Sequence, residues 1–363
     1  MKKSSKIDLK YIIIALAILL VGAALTHFTR HVEDNPYKDD QIEAASRMFE
    51  AEAYMKEEIL SLGIPIEAED LNQTGLLGPE FTELTSTPGD VDAKRTSLSP
   101  DFAALMVRYY NQAGMKAGDT IAIGSSGSFP GLLIASLIAA DVMDLNVRLI
   151  CSLGASMHGA TRPDYNIFDI LHALENGGFA EFSVLAVSPG GNNDQGGGVL
   201  EGVLYTGTDE LSKSLCHESG FTVLDFDDMA ENIRYRLSLY GEGVDLFVNV
   251  GGASPNCGTS SYTLNFPQGL VLEPPTIPTT DDRGLNYEFA ALGVPVINML
   301  NVRKLATDNG MVYDPVPFSD VGESGVYTDI EYRTWVPAVF LIISVSVLVY
   351  GVVRKRNEEK KSI

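Results

Sequence analysis

The sequence predicts an α/β fold: a mostly parallel, doubly wound sheet in an extracytoplasmic domain, flanked by one transmembrane helix at each end of the chain. From residue 101 onwards, apolar runs of strand length alternate with helical patterns. This alternation favours a parallel sheet with helices on both faces. Two longer apolar runs stand near the chain ends, each bordered by basic residues, and these predict the two membrane helices.

The terminal apolar runs are long enough to cross a bilayer. Residues 11–28 contain no Asp, Glu, Lys or Arg, and residues 335–353 contain no charge; a transmembrane helix needs roughly 20 apolar residues. Positive residues mark the cytoplasmic side of such a helix. Both tails, residues 1–10 and 354–363, are therefore expected in the cytoplasm, and residues 29–334 outside it. The basic residues concerned are Lys2, Lys3, Lys6, Lys10, Arg354, Lys355, Arg356, Lys360 and Lys361.

Each apolar run has an alternative interpretation. The first also fits a cleaved signal peptide, because its lysines, short apolar stretch and small residues Gly22, Ala23 and Ala24 are typical of one. The second could be a buried core helix. Under either interpretation of the first run, residues 29–334 are expected to be exported.

The composition of the exported part limits its partners. Residues 29–334 hold 17 basic and 45 acidic residues, a net charge of −28. Such a surface does not attract nucleic acid by charge. A disulfide between Cys216 and Cys257 is left open, and Cys151 lies in an apolar run. Asp225, Asp227 and Asp228 match no metal motif, so neither a metal nor a cofactor is expected.

Residues 29–100 are expected to form a polar helix and a loop region. Residues 39–62 have helical spacing and end before Gly63; they fit either a stalk or lid rising from the membrane, or an ordinary surface helix. Residues 71–100 are rich in Gly and Pro and read as a loop. The basic pair Lys94 and Arg95 stands out in this acidic chain. It is interpreted either as part of a ligand-binding site or as solvated surface.

Residues 101–334 are expected to form the α/β domain, beginning with a helix at 101–113. Continuous apolar runs favour strands buried on both faces, at residues 120–123, 147–153, 183–187, 222–226, 245–250 and 295–300. Helical patterns lie between them at residues 132–141, 167–175, 209–218, 228–239 and 286–292. Residues 264–282 contain four prolines and are interpreted as an inserted loop.

Four Gly- and Ser-rich loops follow these predicted strands, at residues 124–130, 152–159, 188–198 and 251–256. Ligands of doubly wound sheets bind beyond the carboxyl ends of the strands. Glycine lets the backbone approach a ligand closely, and exposed N–H and hydroxyl groups donate hydrogen bonds. We expect these loops to bind an anionic or polyol ligand through Gly124, Ser125, Gly127, Gly154, Ser156, Gly190, Gly191, Asn193, Gly251, Gly252 and Ser254, with Lys94 and Arg95.

The first loop also suggests a nucleophile. Residues 124–128 resemble the G-x-S-x-G elbow of hydrolases but lack its second glycine. A triad would combine Ser126 or Ser128 with His158 and Asp194. His158 is selected because it alone among the five histidines stands in a strand-end loop; a structural loop histidine is the alternative.

Five strings in the exported part resemble the bacterial poly-γ-glutamate system protein family. They are TGLLGPE at 74–80, AKRTS at 93–97, GSSGSFP at 124–130, SLGAS at 152–156 and SPGG at 188–191. The resemblance covers most of the exported domain and includes the N-terminal anchor. It implies a partner of the membrane subunits that make and export poly-γ-glutamate, and it brings no catalytic residues with it.

Two functions follow as the main hypotheses; a third, a generic sugar- or phosphate-binding α/β domain, would explain the loops but not the membrane anchors. In the first, the chain is a membrane-anchored accessory component of polymer export that binds poly-γ-glutamate or a glutamate-like unit. In the second, it is an extracytoplasmic serine hydrolase or transferase that processes the polymer. The incomplete elbow favours the first.

Overall fold

The computed structural model describes residues 7–361, apart from the side chain of Glu359. Lys2, Lys3 and Lys6 lie outside the described residues. The chain divides into two compact units, one spanning Pro36–Tyr327 and one made of the two chain ends, up to Asn35 and from Thr328.

The larger unit is built on a six-stranded sheet. Its strands are β1 (Thr120–Ser126), β2 (Asn146–Ser152), β3 (Ser183–Ser188), β4 (Leu246–Val250), β5 (Gly269–Val271) and β6 (Val296–Met299). They lie in the order β5-β6-β4-β1-β2-β3, and only β5 is antiparallel to its neighbour. The predicted α/β class with a mostly parallel sheet is thereby confirmed.

Twelve α-helices are described between residues 7 and 361. They are α1 (Leu9–Phe28), α2 (Lys38–Ser61), α3 (Val91–Ser97), α4 (Asp101–Gln112), α5 (Pro130–Val142), α6 (Ile167–Asn176), α7 (Thr208–Glu218), α8 (Met229–Tyr240), α9 (Ser254–Cys257), α10 (Leu285–Ala291), α11 (Val302–Asp308) and α12 (Trp335–Lys361).

The sheet has a hydrophobic core on each face, because alternate strand residues point to opposite sides. Ile121 and Ile123 of β1 belong to a cluster with residues of α2, α4, α5 and α6. Ala122, between them, belongs to a second cluster with residues of α8 and α10. This is the doubly wound arrangement that the continuous apolar strands predict.

The helix predicted at 39–62 exists as α2, but it is neither a stalk nor a lid. Ala44, Met48, Met55 and Ile59 are fully buried, and α2 packs against α4 and α5. Most of its charged residues lie outside this buried face; Glu52 is the exception and is 4 % exposed. Gly63 then adopts a φ of +77° and ends the helix.

Three other expectations need correction. Residues 222–226 form no regular strand; Val223 makes one bridge to Val187 at the edge of β3. Residues 264–282 include β5, which the four surrounding prolines concealed. The loop read at 71–100 contains α3, started by the Asp90 side chain accepting a hydrogen bond from the Ala93 N–H.

The cysteines form no disulfide: Cys151, Cys216 and Cys257 are buried free thiols. The link left open between Cys216 and Cys257 is therefore not made. Cys216 lies on α7, and Cys257 ends α9 beyond β4.

The unit of the chain ends contains the two apolar helices. Helices α1 and α12 are long and apolar enough to cross a membrane, which is compatible with a two-pass membrane protein. They pack through small residues: a Cβ on Gly22 would lie 2.5 Å from Phe340 Cβ, and Ser344 Oγ donates to the Ala15 carbonyl at 3.1 Å. Strands His31–Asp34 and Thr328–Glu331 pair antiparallel in the same unit.

Candidate functional site

A cavity opens where the strand order of the sheet reverses. Strands β1 and β4 are neighbours, while the chain runs from β1 towards β3 on one side and from β4 towards β6 on the other. Open α/β sheets bind ligands at such a switch point, beyond the carboxyl ends of the strands. A cavity of about 940 Å³ lies there, in the upper part of the range of ligand-binding clefts.

All four Gly- and Ser-rich loops contribute to this cavity. The predicted residues among its lining are Ser126 and Ser128 from the first loop, Gly154 and Ser156 from the second, Gly190 and Gly191 from the third, and Gly252 and Ser254 from the fourth, together with Lys94 of α3.

Backbones meet where these loops touch. A Cβ on Gly154 would lie 2.3 Å from the Gly191 nitrogen, and one on Gly127 would lie 2.6 Å from the Leu153 carbonyl oxygen. Gly190 and Gly191 also have positive φ angles of 69° and 66°, which side chains disfavour. The glycines here allow close packing of one loop on another, a requirement that is separate from ligand binding.

The remaining predicted residues do not line the cavity. They include Gly124, Ser125, Gly127, Asn193 and Gly251 of the loops, and Arg95, His158 and Asp194. Gly124 lies beneath the Asn256 side chain. A Cβ on Gly124 would lie 2.6 Å from the amide nitrogen and oxygen of that side chain. Arg95 faces away in a two-pronged ion pair with Asp314, at 2.8 and 2.7 Å, and this hydrogen bonding raises the pKa of Arg95.

Sequence reasoning missed half of the cavity wall. The missed part consists of residues 86–90, 264–268 and 300–303, with Ala93 and Tyr313. Residues 264–268 carry Gln268, whose Oε1 accepts hydrogen bonds from the Leu300 and Asn301 N–H groups at 3.1 and 2.8 Å. No local pattern identifies these segments, because only the fold brings them to the ends of β1 and β4.

Several backbone donors in the cavity wall have no acceptor within residues 7–361. The N–H groups of Phe129, Gly252 and Ala253 make no hydrogen bond to any residue within 7–361. Phe129 immediately precedes α5, a helix of 13 residues, whose N-terminal end favours negative charge. Backbone N–H groups with no protein acceptor are ready to bind an oxyanion.

The charged groups in the wall are two cations and one carboxylate: Lys94, Arg303 and Asp90. The Arg303 guanidinium stacks 3.9 Å from the Tyr313 ring centre and forms no ion pair with a residue that the structure describes. Asp90 already accepts from the Ala93 N–H and the Tyr313 hydroxyl. With Lys94 protonated the local balance is positive, inside a chain of net charge −22; with Lys94 neutral, the charges of Arg303 and Asp90 cancel.

Lys94 is a buried lysine, with 2 % of its surface exposed. Its Nζ hydrogen-bonds the Ser128 carbonyl and lies 2.6 Å from Ser156 Oγ, 3.8 Å from the Phe129 ring centre. It forms no ion pair within the described chain. Burial lowers the pKa of Lys94 to about 7, because an ammonium loses its hydration there.

The first and second loops are joined through serines at this lysine. The Ser156 N–H donates to Ser128 Oγ at 3.1 Å, and the Ser128 N–H donates to Ser126 Oγ at 3.4 Å. Ser156 is held from two sides, with its hydroxyl against Lys94 and its backbone against Ser128. It faces the cavity with 8 % of its surface exposed.

The triad considered from the sequence is not assembled in this structure. His158 Nδ1 lies 3.3 Å from the Gly78 carbonyl oxygen, and among residues 7–361 it hydrogen-bonds neither Ser126, Ser128 nor Asp194. Its φ of +62° is consistent with a turn residue in the second loop.

Asp194 is committed to a buried network below the cavity. It forms an ion pair with Arg236 at 2.6 Å, both side chains being almost fully buried. It also accepts from Ser152, Ser188 and Asn232 at 3.1, 2.8 and 2.9 Å. Its oxygens are fully engaged, so Asp194 ties the ends of β2 and β3 to α8.

The acidic cluster near residue 225 is explained by ordinary contacts. Asp225 pairs with Lys213 at 3.0 Å, Asp227 accepts from Gln195, and Asp228 caps α8. The described residues bring one trio of metal-ligating side chains together, in the unit of the chain ends: His31, Glu33 and Glu331, with ligand atoms within 4.8 Å of one another.

Comparisons of this chain with protein-family models, with curated proteins and with solved structures find no match. The resemblance to the poly-γ-glutamate system protein family stays a prediction from the five loop strings.

Proposed function

We propose that this chain is a membrane-anchored accessory component of a poly-γ-glutamate synthesis and export system, and that its extracytoplasmic domain binds a carboxylate-bearing glutamyl segment in the cavity at the switch point. Its partners would be the membrane subunits of that system and the lipid bilayer. The observation that carries the proposal is the meeting of four loops around one cavity with unused N–H donors.

The chemistry of the cavity suits a carboxylate. The N–H groups of Phe129, Gly252 and Ala253 can each donate to an oxyanion, and Arg303 can pair with a carboxylate through two parallel hydrogen bonds. The acidic exterior repels a polyanion, but this repulsion is screened beyond roughly 8 Å at physiological salt. An anionic chain would therefore be held by local donors inside the cavity and released easily from the surface.

Binding of a short γ-glutamyl oligomer to the full-length protein in detergent micelles tests this proposal. Calorimetric titration should give saturable binding, and the oligomer with its carboxylates converted to carboxamides should bind at least about tenfold more weakly, since hydrogen bonds to charged groups contribute about 1.5–3 kcal/mol.

Two neighbouring cations on α11 provide the matched variants. Arg303 lines the cavity, whereas Lys304 pairs with Asp308 outside it. Arg303→Met should weaken oligomer binding about tenfold, and Lys304→Met should leave it unchanged. Absence of binding by the unaltered protein, or equal binding of the acid and amide oligomers, would refute the proposed ligand.

A further inference from the structure

We propose that Ser156 and Lys94 form a nucleophile–base pair that cleaves or transfers a γ-glutamyl amide bound in the cavity. The identity of the acyl group rests on the proposed function. The pair itself rests on the geometry of the second loop and α3. It differs from the triad considered above in its nucleophile, its base and its loop.

The first argument is position. Ser156 Oγ lies 2.6 Å from Lys94 Nζ, within the reach needed for direct proton transfer. Both residues line the cavity, so a substrate there can approach the hydroxyl. Ser126 and Ser128 line it too, but neither is hydrogen-bonded through its hydroxyl to a basic side chain within residues 7–361.

The second argument is orientation. The Ser128 carbonyl accepts a hydrogen bond from Lys94 Nζ, while Ser128 Oγ accepts from the Ser156 N–H. One residue therefore fixes both the base and the backbone of the nucleophile. Such support for both members of a pair is what an activated serine requires.

The third argument is the protonation of the base. A lysine that accepts a proton must be neutral, and its usual pKa of about 10.4 prevents this at neutral pH. Here burial lowers the pKa of Lys94 to about 7, and no carboxylate in the described chain forms an ion pair with it to restore the charged form. The Phe129 ring beside Nζ favours the ammonium and so opposes this effect of burial.

The reaction can be written with neutral Lys94 as the base. Ser156 Oγ attacks the amide carbonyl carbon, and its proton passes to Nζ. The ammonium then protonates the amide nitrogen, the C–N bond breaks, and the amine leaves. The acyl group remains on Ser156 as an ester. Water, or the amine of an acceptor, then attacks this ester. Lys94 accepts the proton that the attacking group loses and passes it to Ser156 Oγ as the ester bond breaks. Water as the acceptor gives hydrolysis; an amine gives transfer.

The cavity also offers donors for the oxyanion that forms in such a step. The unused N–H groups of Phe129, Gly252 and Ala253 share the cavity with Ser156. Backbone donors fixed in advance are the common means of stabilising a tetrahedral intermediate. Phe129 is also adjacent to Ser128, which orients the pair.

Labelling of the full-length protein in micelles by a fluorophosphonate probe tests the pair, with the modified peptide identified by mass spectrometry. Label should appear on Ser156. Its rate should rise with pH through about 7, as the base loses its proton. Lys94→Met and Lys94→Arg should each slow labelling by about 100-fold or more, because arginine keeps the charge but cannot accept the proton. Ser214→Ala, at an exposed serine of α7, should label like the unaltered protein.

The outcomes separate this proposal from the proposed function. Label on another serine, or an equal rate in Lys94→Arg, overturns the pair. Ser156→Ala should lose the label while its circular-dichroism spectrum and urea-unfolding midpoint stay close to those of the unaltered protein, which shows that the variant is folded. Oligomer binding without any Ser156 label overturns the pair alone. Ser156 label without oligomer binding supports the pair and overturns the proposed ligand.

Discussion

Lys94 occupies an environment far from that of an ordinary surface side chain, with 2 % of its surface exposed. Its ammonium lies among Ser128, Ser156 and Phe129 without a counter-ion in the described chain. Burying an uncompensated charge costs free energy, and the group responds by losing its proton. The rest of the domain must offset this free-energy cost. Ionisable groups with strongly shifted pKa values are found more often at functional sites than elsewhere.

This burial makes stability depend on pH in a defined direction. The unfolded chain keeps the Lys94 proton up to about pH 10.4, whereas the folded chain loses it near its lowered pKa of about 7. Between these values the unfolded state binds more protons, so the free energy of unfolding rises with pH. We expect the unaltered protein to gain stability relative to Lys94→Met from pH 7 to pH 9, within a total of at most about 5 kcal/mol.

Urea unfolding of both full-length proteins in micelles, followed by circular dichroism, measures this difference. Using a difference removes the titration of other groups, which both proteins share. Lys116→Met, at an exposed lysine, should follow the unaltered protein at every pH. Parallel curves for the unaltered protein and Lys94→Met would show that Lys94 has an ordinary pKa.

Asp194 illustrates what residue types alone can and cannot predict. Its place in a strand-end loop made it a candidate carboxylate for catalysis. Its partner Arg236 is 42 residues away on α8, and no local pattern connects them. Removing one member of a buried ion pair typically costs 3–5 kcal/mol. Loss of function on mutation of Asp194 would therefore report first on the fold.

At the scale of elements, the sequence predicted most of the sheet because each parallel strand is a continuous apolar run. The edges were harder: β5 has three residues among prolines, and residues 222–226 make a single bridge. The four loops were found because glycine and serine cluster at strand ends. The rest of the cavity wall was not predicted, because residues 86–90, 264–268 and 300–303 are brought to the cavity only by the fold.

Two glycines of the cavity separate a packing requirement from an open position. A Cβ on Gly154 would lie 2.3 Å from the Gly191 backbone, whereas one on Gly252 meets nothing nearer than 3.6 Å. Overpacking typically costs about 1–3 kcal/mol. Gly154→Ala should therefore lower the free energy of unfolding by that amount, and Gly252→Ala should change it by less than about 0.5 kcal/mol. Chemical unfolding of both variants provides the measurement; equal losses would mean that the loops are not packed as described.

At the scale of the whole molecule, charge is distributed by region. Residues 29–334 carry a net charge of −28, and basic residues gather beyond both apolar helices. Positive residues favour the cytoplasmic side, which predicts that both tails stay inside and that the domain of Pro36–Tyr327 is exported. Helix α12 continues through most of the basic tail, to Lys361.

The cysteines of this chain make that topology directly measurable. All three are buried, and burial raises the pKa of Cys257 to about 11 and of Cys216 to about 12. Burial also raises the pKa of Cys151. Since the thiolate is the reactive form, background labelling by a maleimide should be slow.

Ser214→Cys, exposed on α7, should react with a membrane-impermeant maleimide in intact cells. Asn357→Cys, exposed in α12, should react only after permeabilisation. The reverse pattern would place the domain in the cytoplasm, and labelling of both positions in intact cells would show that the two lie on the same outer side, which would refute a second membrane crossing.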